Sequence, residues 1–296
     1  MRTAELTQGV VTSRDGTEIA YYKTGQGPAV VVLHGSMESA RSHTLLAEAL
    51  ADEFTVYLPD RCGRGRSGPQ RPDHGVHAEL EDLEAVLTVA GADRAFGVSA
   101  GGAVVLEAAR VLPGLEQVAL YEPAIVAEGE PHREWLARFD QEIARGDVAG
   151  AMVTSMFGFE MAPAFLKVMP RGLLRRMTER MMAKEARQAG ADAITMRQLA
   201  PTIHGEGIIV AELAGTFDNF RTVDAEVLLL GGTKGLRGLE PGRATLEKVL
   251  PHCRRIEFDG FDHGSSSDPG GVNPTGKPEA VRRIAAEVKS FFKKQS

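Results

Sequence analysis

"FGVSAGG", residues 96–102, sets one serine between glycines, after a short apolar run and before a helical pattern. Residues 94–98 have the composition of a buried strand, and residues 100–112 have helical spacing. Glycines two before and two after the serine remove side chains that would collide in a sharp strand-to-helix turn. Such a turn lifts the Ser99 hydroxyl above the sheet edge, beside the free N–H groups that begin a helix. The stretch therefore predicts a nucleophilic serine.

Short apolar runs alternate with longer helical patterns along most of the chain. Strands are predicted at 8–13, 18–23, 29–33, 54–58, 94–98, 117–121, 226–230 and 254–258, and helices at 40–51, 78–90, 100–112 and 279–293. The first two strands form a hairpin with Asp15-Gly16 at its turn. This order predicts an α/β fold in which an eight-stranded, mostly parallel sheet has helices on both faces.

Residues 124–215 break this alternation, because they carry helix-length patterns and no convincing strand. We expect them to form a helical cap, inserted in a core of residues 1–123 and 216–296. Eight of the ten methionines lie in this segment. Methionine suits a pocket that must fit varied apolar ligands, and ordinary core packing is an equal alternative for any single one. The predicted substrate contacts are Met152, Met156, Phe157 and Met161.

The bulk composition excludes several classes of protein. A net charge of −6 and a pI near 5.8 argue against a nucleic-acid binder. Cys62 and Cys253 are too few for a disulfide framework and read as free thiols. The first 13 residues lack the apolar core of a signal peptide, and no run reaches the roughly 20 apolar residues of a membrane span. A cytoplasmic protein that binds no membrane is expected, and a homo-oligomer is left open.

Four stretches in this order resemble the α/β-hydrolase family. They are "PAVVVLHGSMES" (28–39), "DRCGRGRSG" (60–68), "FGVSAGG" and "GFDHGSSS" (260–267). The resemblance implies an α/β-hydrolase fold with a nucleophile elbow at Ser99. It also implies an oxyanion hole, formed by the backbone N–H of Ala100 and that of Ser36 or Met37.

The serine needs a base, because its hydroxyl is a poor nucleophile at neutral pH. His263 follows the last predicted strand in a glycine-flanked loop, where the family carries its catalytic histidine. Seven other histidines compete, and none has a matching context. His34 is the residue that in the family is usually structural. We therefore predict His263 as the base.

The base needs a carboxylate to fix its tautomer. Most of the family place an Asp after the strand that is 226–230 here, but the loop 231–242 offers only Glu240. The family also has a second placement, just after the strand that follows the elbow helix, and this chain resembles haloalkane dehalogenases and zearalenone lactonases, which place a Glu there. That position is Glu122, which keeps the order Ser, Glu, His. We predict Glu122 as the acid, with Glu240 and Asp224 as alternatives.

The resemblance then implies an activity. A serine at the elbow argues against dehalogenases and epoxide hydrolases, which use a carboxylate nucleophile. We expect a serine hydrolase that cleaves a carboxylic ester or lactone of an apolar, small to medium substrate through an acyl-enzyme. The alternatives are a C–C bond hydrolase, a thioesterase, a cofactor-free haloperoxidase, or a non-catalytic ligand-binding protein. No cofactor and no metal are expected, because the sequence has no GxGxxG after a first strand, no P-loop and no cluster of metal ligands.

Overall fold

The computed structural model describes residues 6–127, 131–190, 193–270 and 276–293. Eight strands form one sheet in the order β1-β2-β4-β3-β5-β6-β7-β8. The strands are β1 (Thr7–Thr12), β2 (Glu18–Gly25), β3 (Ala29–Leu33), β4 (Thr55–Pro59), β5 (Arg94–Val98), β6 (Gln117–Tyr121), β7 (Glu226–Lys234) and β8 (Cys253–Asp262). β2 is antiparallel to both β1 and β4, and every other neighbouring pair is parallel. The predicted α/β fold is therefore confirmed.

Helices cover both faces of the sheet. They are α1 (Thr44–Leu50), α2 (Val76–Ala90), α3 (Ser99–Val111), α4 (Pro131–Ala144), α5 (Val148–Gly158), α6 (Arg171–Gln188), α7 (Met196–Leu199), α8 (Ile203–Leu213), α9 (Glu240–Val249) and α10 (Pro278–Phe292). Leu83 of α2 and Val31 of β3 share one apolar cluster, whereas Leu46 of α1 and Val30 of β3 share another. Because successive β3 side chains enter different clusters, this strand is apolar throughout. No helix in these ranges is both long and apolar enough to cross a bilayer.

Two predictions near the C-terminal end of the sheet were wrong. Residues 231–242 are not one loop, since β7 continues to Lys234 and α9 begins at Glu240. Helix α9 was not predicted, although Pro241 near its start is a typical helix N-terminal signal. β8 likewise runs four residues past the predicted end at 258. β7 and β8 stay paired beyond their apolar centres. The residues at these strand ends are mostly exposed, so a search for apolar runs does not detect them.

The described part of residues 124–215 is helical and contains no strand. Trp135 and Phe139 of α4 pack with Ala151 of α5 and Ile203 of α8 in a separate apolar cluster. Met152 and Met37 lie at the edge of that cluster, so the helical segment contacts the loop after β3. The boundaries that we assigned to a cap domain stay a prediction.

A buried ionic network ties this helical segment to the sheet. The Arg61 guanidinium, in the loop after β4, makes two hydrogen bonds of 2.8 and 2.9 Å to the Glu79 carboxylate on α2. It also donates to Glu206 Oε1 on α8 at 2.9 Å, and Arg64 pairs with the same carboxylate. These charged groups are almost fully buried. Each therefore depends on its partners, because an unpaired buried charge is very unfavourable.

We predict that Glu79→Gln lowers the free energy of unfolding by about 3–5 kcal/mol, because Arg61 loses its bidentate partner in a buried site. The matched control is Glu81→Gln on the same helix. Its partner Arg14 is 3.7 Å away and largely exposed, so we expect a loss of about 0–1 kcal/mol. Urea unfolding of both variants measures the difference. Equal losses would contradict the role assigned to the network.

Candidate active site

The turn at Ser99 has the geometry of a nucleophile elbow. β5 ends at Val98 and α3 begins at Ser99, whose φ of 52° lies in the left-handed region that non-glycine residues avoid. A Cβ at Gly97 would lie 2.7 Å from the carbonyl oxygen of Gly101, and one at Gly101 would overlap the His34 backbone. Only glycine fits at both positions, so the sharp turn is built into the sequence. The Ser99 side chain is half-buried at the edge of the sheet.

Strand register brings the loop after β3 beside this elbow. Leu33 of β3 pairs with Gly97 of β5, so both strands end at the same sheet edge. A Cβ at Gly35 would lie 3.3 Å from Ser99 Cβ, which shows how closely the two backbones approach. The strand order switches direction at β3, and α/β sheets bind ligands in the crevice outside the strand ends at such a switch point.

Three backbone amides predicted for the oxyanion hole lie in the loop after β3 and at the elbow. Within the described ranges, the N–H groups of Ser36, Met37 and Ala100 donate to no protein acceptor. Met37 has a φ of 59°, and such a left-handed residue turns successive amides toward one side. Unpaired amides at a helix start and a tight turn are suited to stabilising an oxyanion.

His263 and Glu122 form a hydrogen-bonded pair at the same edge. The distance from His263 Nδ1 to Glu122 Oε2 is 2.7 Å. Glu122 directly follows β6, whose last residue Tyr121 pairs with Val98 just before the elbow. His263 Nδ1 is thus bound by the carboxylate, so Nε2 is the nitrogen left to accept a proton. Among the described contacts there is no hydrogen bond between Ser99 and His263, and such bonds are often long before substrate binds.

The Glu122 carboxylate is fully buried and held by several donors. Gly232 N–H donates to Oε1 at 3.1 Å and Leu236 N–H donates to Oε2 at 3.3 Å. Arg243 Nη1 on α9 lies 3.6 Å from Oε1. Burial would raise the pKa of the Glu122 carboxyl, but His263, the Gly232 amide and Arg243 together lower it. The carboxylate is therefore charged at neutral pH, which suits a group that orients an imidazole.

The Glu122 carboxylate, which follows β6, lies beside the end of β7. A Cβ at Gly235 would overlap Glu122 Oε1, so the glycine at this position makes room for Glu122. The alternative Glu240 is 44% exposed and is bound by Arg243 and by Arg255, at 2.7 Å from the latter. Asp224 is exposed on the surface. Among the candidate acids, the geometry brings Glu122 to the histidine.

The predicted substrate contacts differ in position. Met152 of the helical segment is half-buried. Like Met37 of the loop after β3, it packs against the cluster of Ala149, Met182 and Met196. Met156 and Phe157 follow it on α5 and are half-buried, whereas Met161 is 47% exposed. Met182 and Met196 lie in an apolar cluster, whereas Met177 and Met181 are exposed. Of the four predicted contacts, Met152 shares its apolar cluster with Met37 of the loop after β3.

A second cluster of polar side chains was missed by the sequence analysis. Cys62, His74 and Asp82 are buried, and one ligand atom of each lies within 4.8 Å of the others. These residue types can bind metal, but no motif spacing connects them along the chain. His74 Nε2 is 2.9 Å from Glu79 Oε1, and the Cys62 thiol donates to the Pro69 carbonyl at 3.3 Å. Cys62 and His74 thus have partners within the protein, whereas the buried Asp82 Oδ2 has no hydrogen-bond partner among the described residues.

Stability should depend on pH through the buried carboxyls. The pKa of Glu38 is lowered to about 2, and those of Glu79 and Glu122 are also lowered from 4.5. Each contributes stability that is present above pH 4.5 and lost as pH falls through the folded-state pKa. Burial raises the pKa of Asp82 and Asp268 to about 6, so their protonation instead adds stability below pH 6.

We therefore predict that the free energy of unfolding rises slightly from pH 7 to about 5 and falls steeply below about 4. Urea unfolding at a series of pH values measures this profile. In Asp82→Asn the rise should become smaller while the acid-side loss remains. A stability that stays constant down to pH 3 would contradict the assignment of buried, charged glutamates.

The chain is similar to known proteins over most of its length. It matches the alpha/beta hydrolase family over residues 30–274. It is 26% identical to an alpha/beta hydrolase from Sphaerobacter thermophilus, whose crystal structure superposes with a TM-score of 0.76 and covers 96% of this chain and 100% of that one.

Curated relatives match over shorter stretches. A pimeloyl-(acyl-carrier protein) methyl ester esterase of Stenotrophomonas maltophilia is 30% identical over 164 residues, which are 53% of this chain and 61% of that protein. An uncharacterized protein of Mycobacterium bovis is 32% identical over 102 residues, 34% of this chain and 30% of that protein. The chain thus spans less than two thirds of either curated relative. The family match, which covers most of the chain, agrees with the sheet order and the elbow: the chain belongs to the alpha/beta hydrolase family.

Proposed function

We propose that this protein is a serine hydrolase of carboxylic esters, with lactones as the cyclic members of the same substrate class. The observation that carries the proposal is the 2.7 Å contact between His263 Nδ1 and the buried Glu122 carboxylate, at the sheet edge that also holds Ser99. A strained serine, an oriented imidazole and unpaired amides are the parts that acyl transfer requires.

The first half of the reaction acylates Ser99. Its Oγ attacks the carbonyl carbon of the ester, and the hydroxyl proton moves to His263 Nε2. The buried charge of Glu122 stabilises the imidazolium that forms. The carbonyl oxygen becomes negative and accepts hydrogen bonds from Ala100 N–H and from the N–H of Ser36 or Met37. The alcohol then leaves with the proton from His263, and an acyl-enzyme remains.

The second half returns the enzyme to its resting state. A water molecule gives one proton to His263 Nε2 and attacks the acyl carbon, and the same amides stabilise the second oxyanion. His263 then protonates Ser99 Oγ, and the carboxylic acid leaves. Neither half of the reaction changes an oxidation state, and the imidazole carries every proton.

Two observations support an apolar, small to medium acyl group. Met152 of the helical segment and Met37 of the loop after β3 pack against the same apolar cluster. Flexible methionine side chains of this kind fit varied apolar groups. The S. maltophilia relative is named as a methyl ester esterase, so an ester with a small alcohol is the first substrate to try.

The experiment combines covalent labelling with a substrate series. A fluorophosphonate probe should modify the folded protein once, at Ser99, as located by peptide mass spectrometry. Chromogenic esters from acetate to laurate, and lactones of increasing ring size, should then identify the preferred acyl length. A folded protein that neither reacts with the probe nor hydrolyses any ester would reject the proposal in favour of a ligand-binding protein.

A further inference from the structure

The buried carboxylate of Glu38 binds the backbone of the loop after β3. Glu38 Oε2 accepts the Gly35 N–H at 2.7 Å, and Oε1 accepts the hydroxyl of Ser267. Ser267 lies four residues after His263, so one carboxylate connects the loop that carries the predicted oxyanion amides with the loop that carries the predicted base. The Glu38 residue is 8% exposed, so water competes little for these hydrogen bonds.

His43 completes this arrangement. Its Nε2 is 3.1 Å from Glu38 Oε2, and its Nδ1 is 3.3 Å from the Ser266 carbonyl oxygen. Burial would raise the pKa of Glu38, but the charge of His43 and the hydrogen bonds from His43, Ser267 and Gly35 outweigh burial and bring it to about 2. Burial would lower the pKa of His43, but Glu38 and Asp268 raise it overall. The two side chains therefore form a buried ion pair.

We propose that Glu38 is a positioning residue for the oxyanion hole: it fixes Gly35 and Ser267 together, so that the amides of Ser36 and Met37 stay aimed at the crevice above Ser99. This inference rests on the proposed function and goes beyond it, because it assigns a role to a residue that does not touch the substrate. Neither Glu38 nor His43 belongs to the predicted triad.

The physical argument concerns the direction of the amides. The loop after β3 offers three successive N–H groups, at Gly35, Ser36 and Met37. Glu38 binds the first of them, which fixes the peptide plane just before the two amides that donate to no described protein acceptor. A carboxylate makes stronger hydrogen bonds to N–H groups than a neutral acceptor does. Oxyanion stabilisation depends on donors that are held in place before the reaction, so a loosened loop should lower transition-state binding and leave substrate binding unchanged.

The test compares Glu38→Gln with Asp82→Asn. Asp82 on α2 is also a buried carboxylate, at 6% exposed, but it makes no described contact with Gly35, Ser267 or His43. We expect Glu38→Gln to lower kcat for a chromogenic ester about 10- to 100-fold with KM within about twofold of the wild type. Asp82→Asn should stay within about threefold in both constants, because its carboxylate does not bind the loop that holds the amides.

A second readout separates positioning from general damage. A trifluoromethyl ketone adds to the serine and places an oxyanion in the hole, so its inhibition constant should rise in Glu38→Gln by the same factor as kcat/KM falls. Thermal unfolding verifies that each variant is folded. If Glu38→Gln does not fold, Ser267→Ala removes only the hydroxyl that reaches Glu38, and kcat should fall about three- to tenfold.

The outcomes are distinguishable. An active wild type with a folded Glu38→Gln of unchanged kcat overturns this inference and leaves the proposed function intact. A loss that appears only in KM, or equally in Asp82→Asn, also overturns it, because a general loosening of the protein would act in that way. A wild type without esterase activity and without probe labelling overturns the proposed function, and this inference with it.

Discussion

Ser99→Ala is expected to lower kcat/KM for a chromogenic ester by about 10⁴- to 10⁶-fold and to abolish labelling by a fluorophosphonate probe. The variant keeps the fold, since alanine also fits a position whose strain lies in its backbone φ of 52°. It loses the oxygen that forms the acyl-enzyme. Hydrolysis rates with and without the probe, together with mass spectrometry of the intact protein, measure both effects.

Ser290→Ala provides the matched control for this experiment. Ser290 is an exposed serine near the end of α10, far along the chain from the elbow, and it should keep full activity and full labelling. If Ser99→Ala retained more than about one hundredth of the wild-type rate, a nucleophile other than Ser99 would have to be sought.

Glu122→Gln should lower kcat by about 10³- to 10⁴-fold while KM changes little. The amide cannot stabilise the imidazolium, and it can turn a donor toward His263 Nδ1, which favours the tautomer that cannot accept the serine proton. The substitution also removes the charge that faces Arg243 Nη1 at 3.6 Å, so the free energy of unfolding should fall as well. Steady-state kinetics and urea unfolding of the same preparation separate the two effects.

Glu240→Gln is the informative comparison, because it touches the same arginine without touching His263. Its carboxylate is 44% exposed and lies on α9, between Arg243 and Arg255. We expect kcat within about threefold of the wild type, as for a partly exposed ion pair. A large loss in Glu240→Gln with a small one in Glu122→Gln would contradict the assignment of the acid.

Much of the fold could be predicted because its signals are local. Alternating and continuous apolar runs identified all eight strands, and the glycines at 97 and 101 identified the elbow. Helix α9 was not predicted. It is a short amphipathic helix that follows the exposed end of β7, and no apolar run marks either of them. Its start signal, Pro241, is one residue among several glycines and charges. Patterns of that kind define an element only when its neighbours are known.

The side chains around the site were less predictable than its backbone. Four non-glycine residues in the described ranges have a positive φ, and three of them are Met37, Ser99 and Glu122. Strained backbone tends to gather at functional sites, yet only the glycines beside Ser99 revealed such strain in the sequence. The ionic network of Arg61, Glu79 and Glu206 and the pair of Glu38 and His43 join residues that are distant in the chain or have no motif.

The sequence by itself determined the sheet, the serine turn and the family resemblance, since these depend on residue spacing within about ten positions and on glycines that allow one backbone conformation. Only the tertiary structure decided which carboxylate meets His263. That choice depends on β6 and β7 being neighbours, on Gly235 leaving space, and on Arg243 of α9 lying beside Glu122. Residues 122, 235, 243 and 263 become neighbours only when parallel strands end at one edge, because contacts of this range follow from strand order and register.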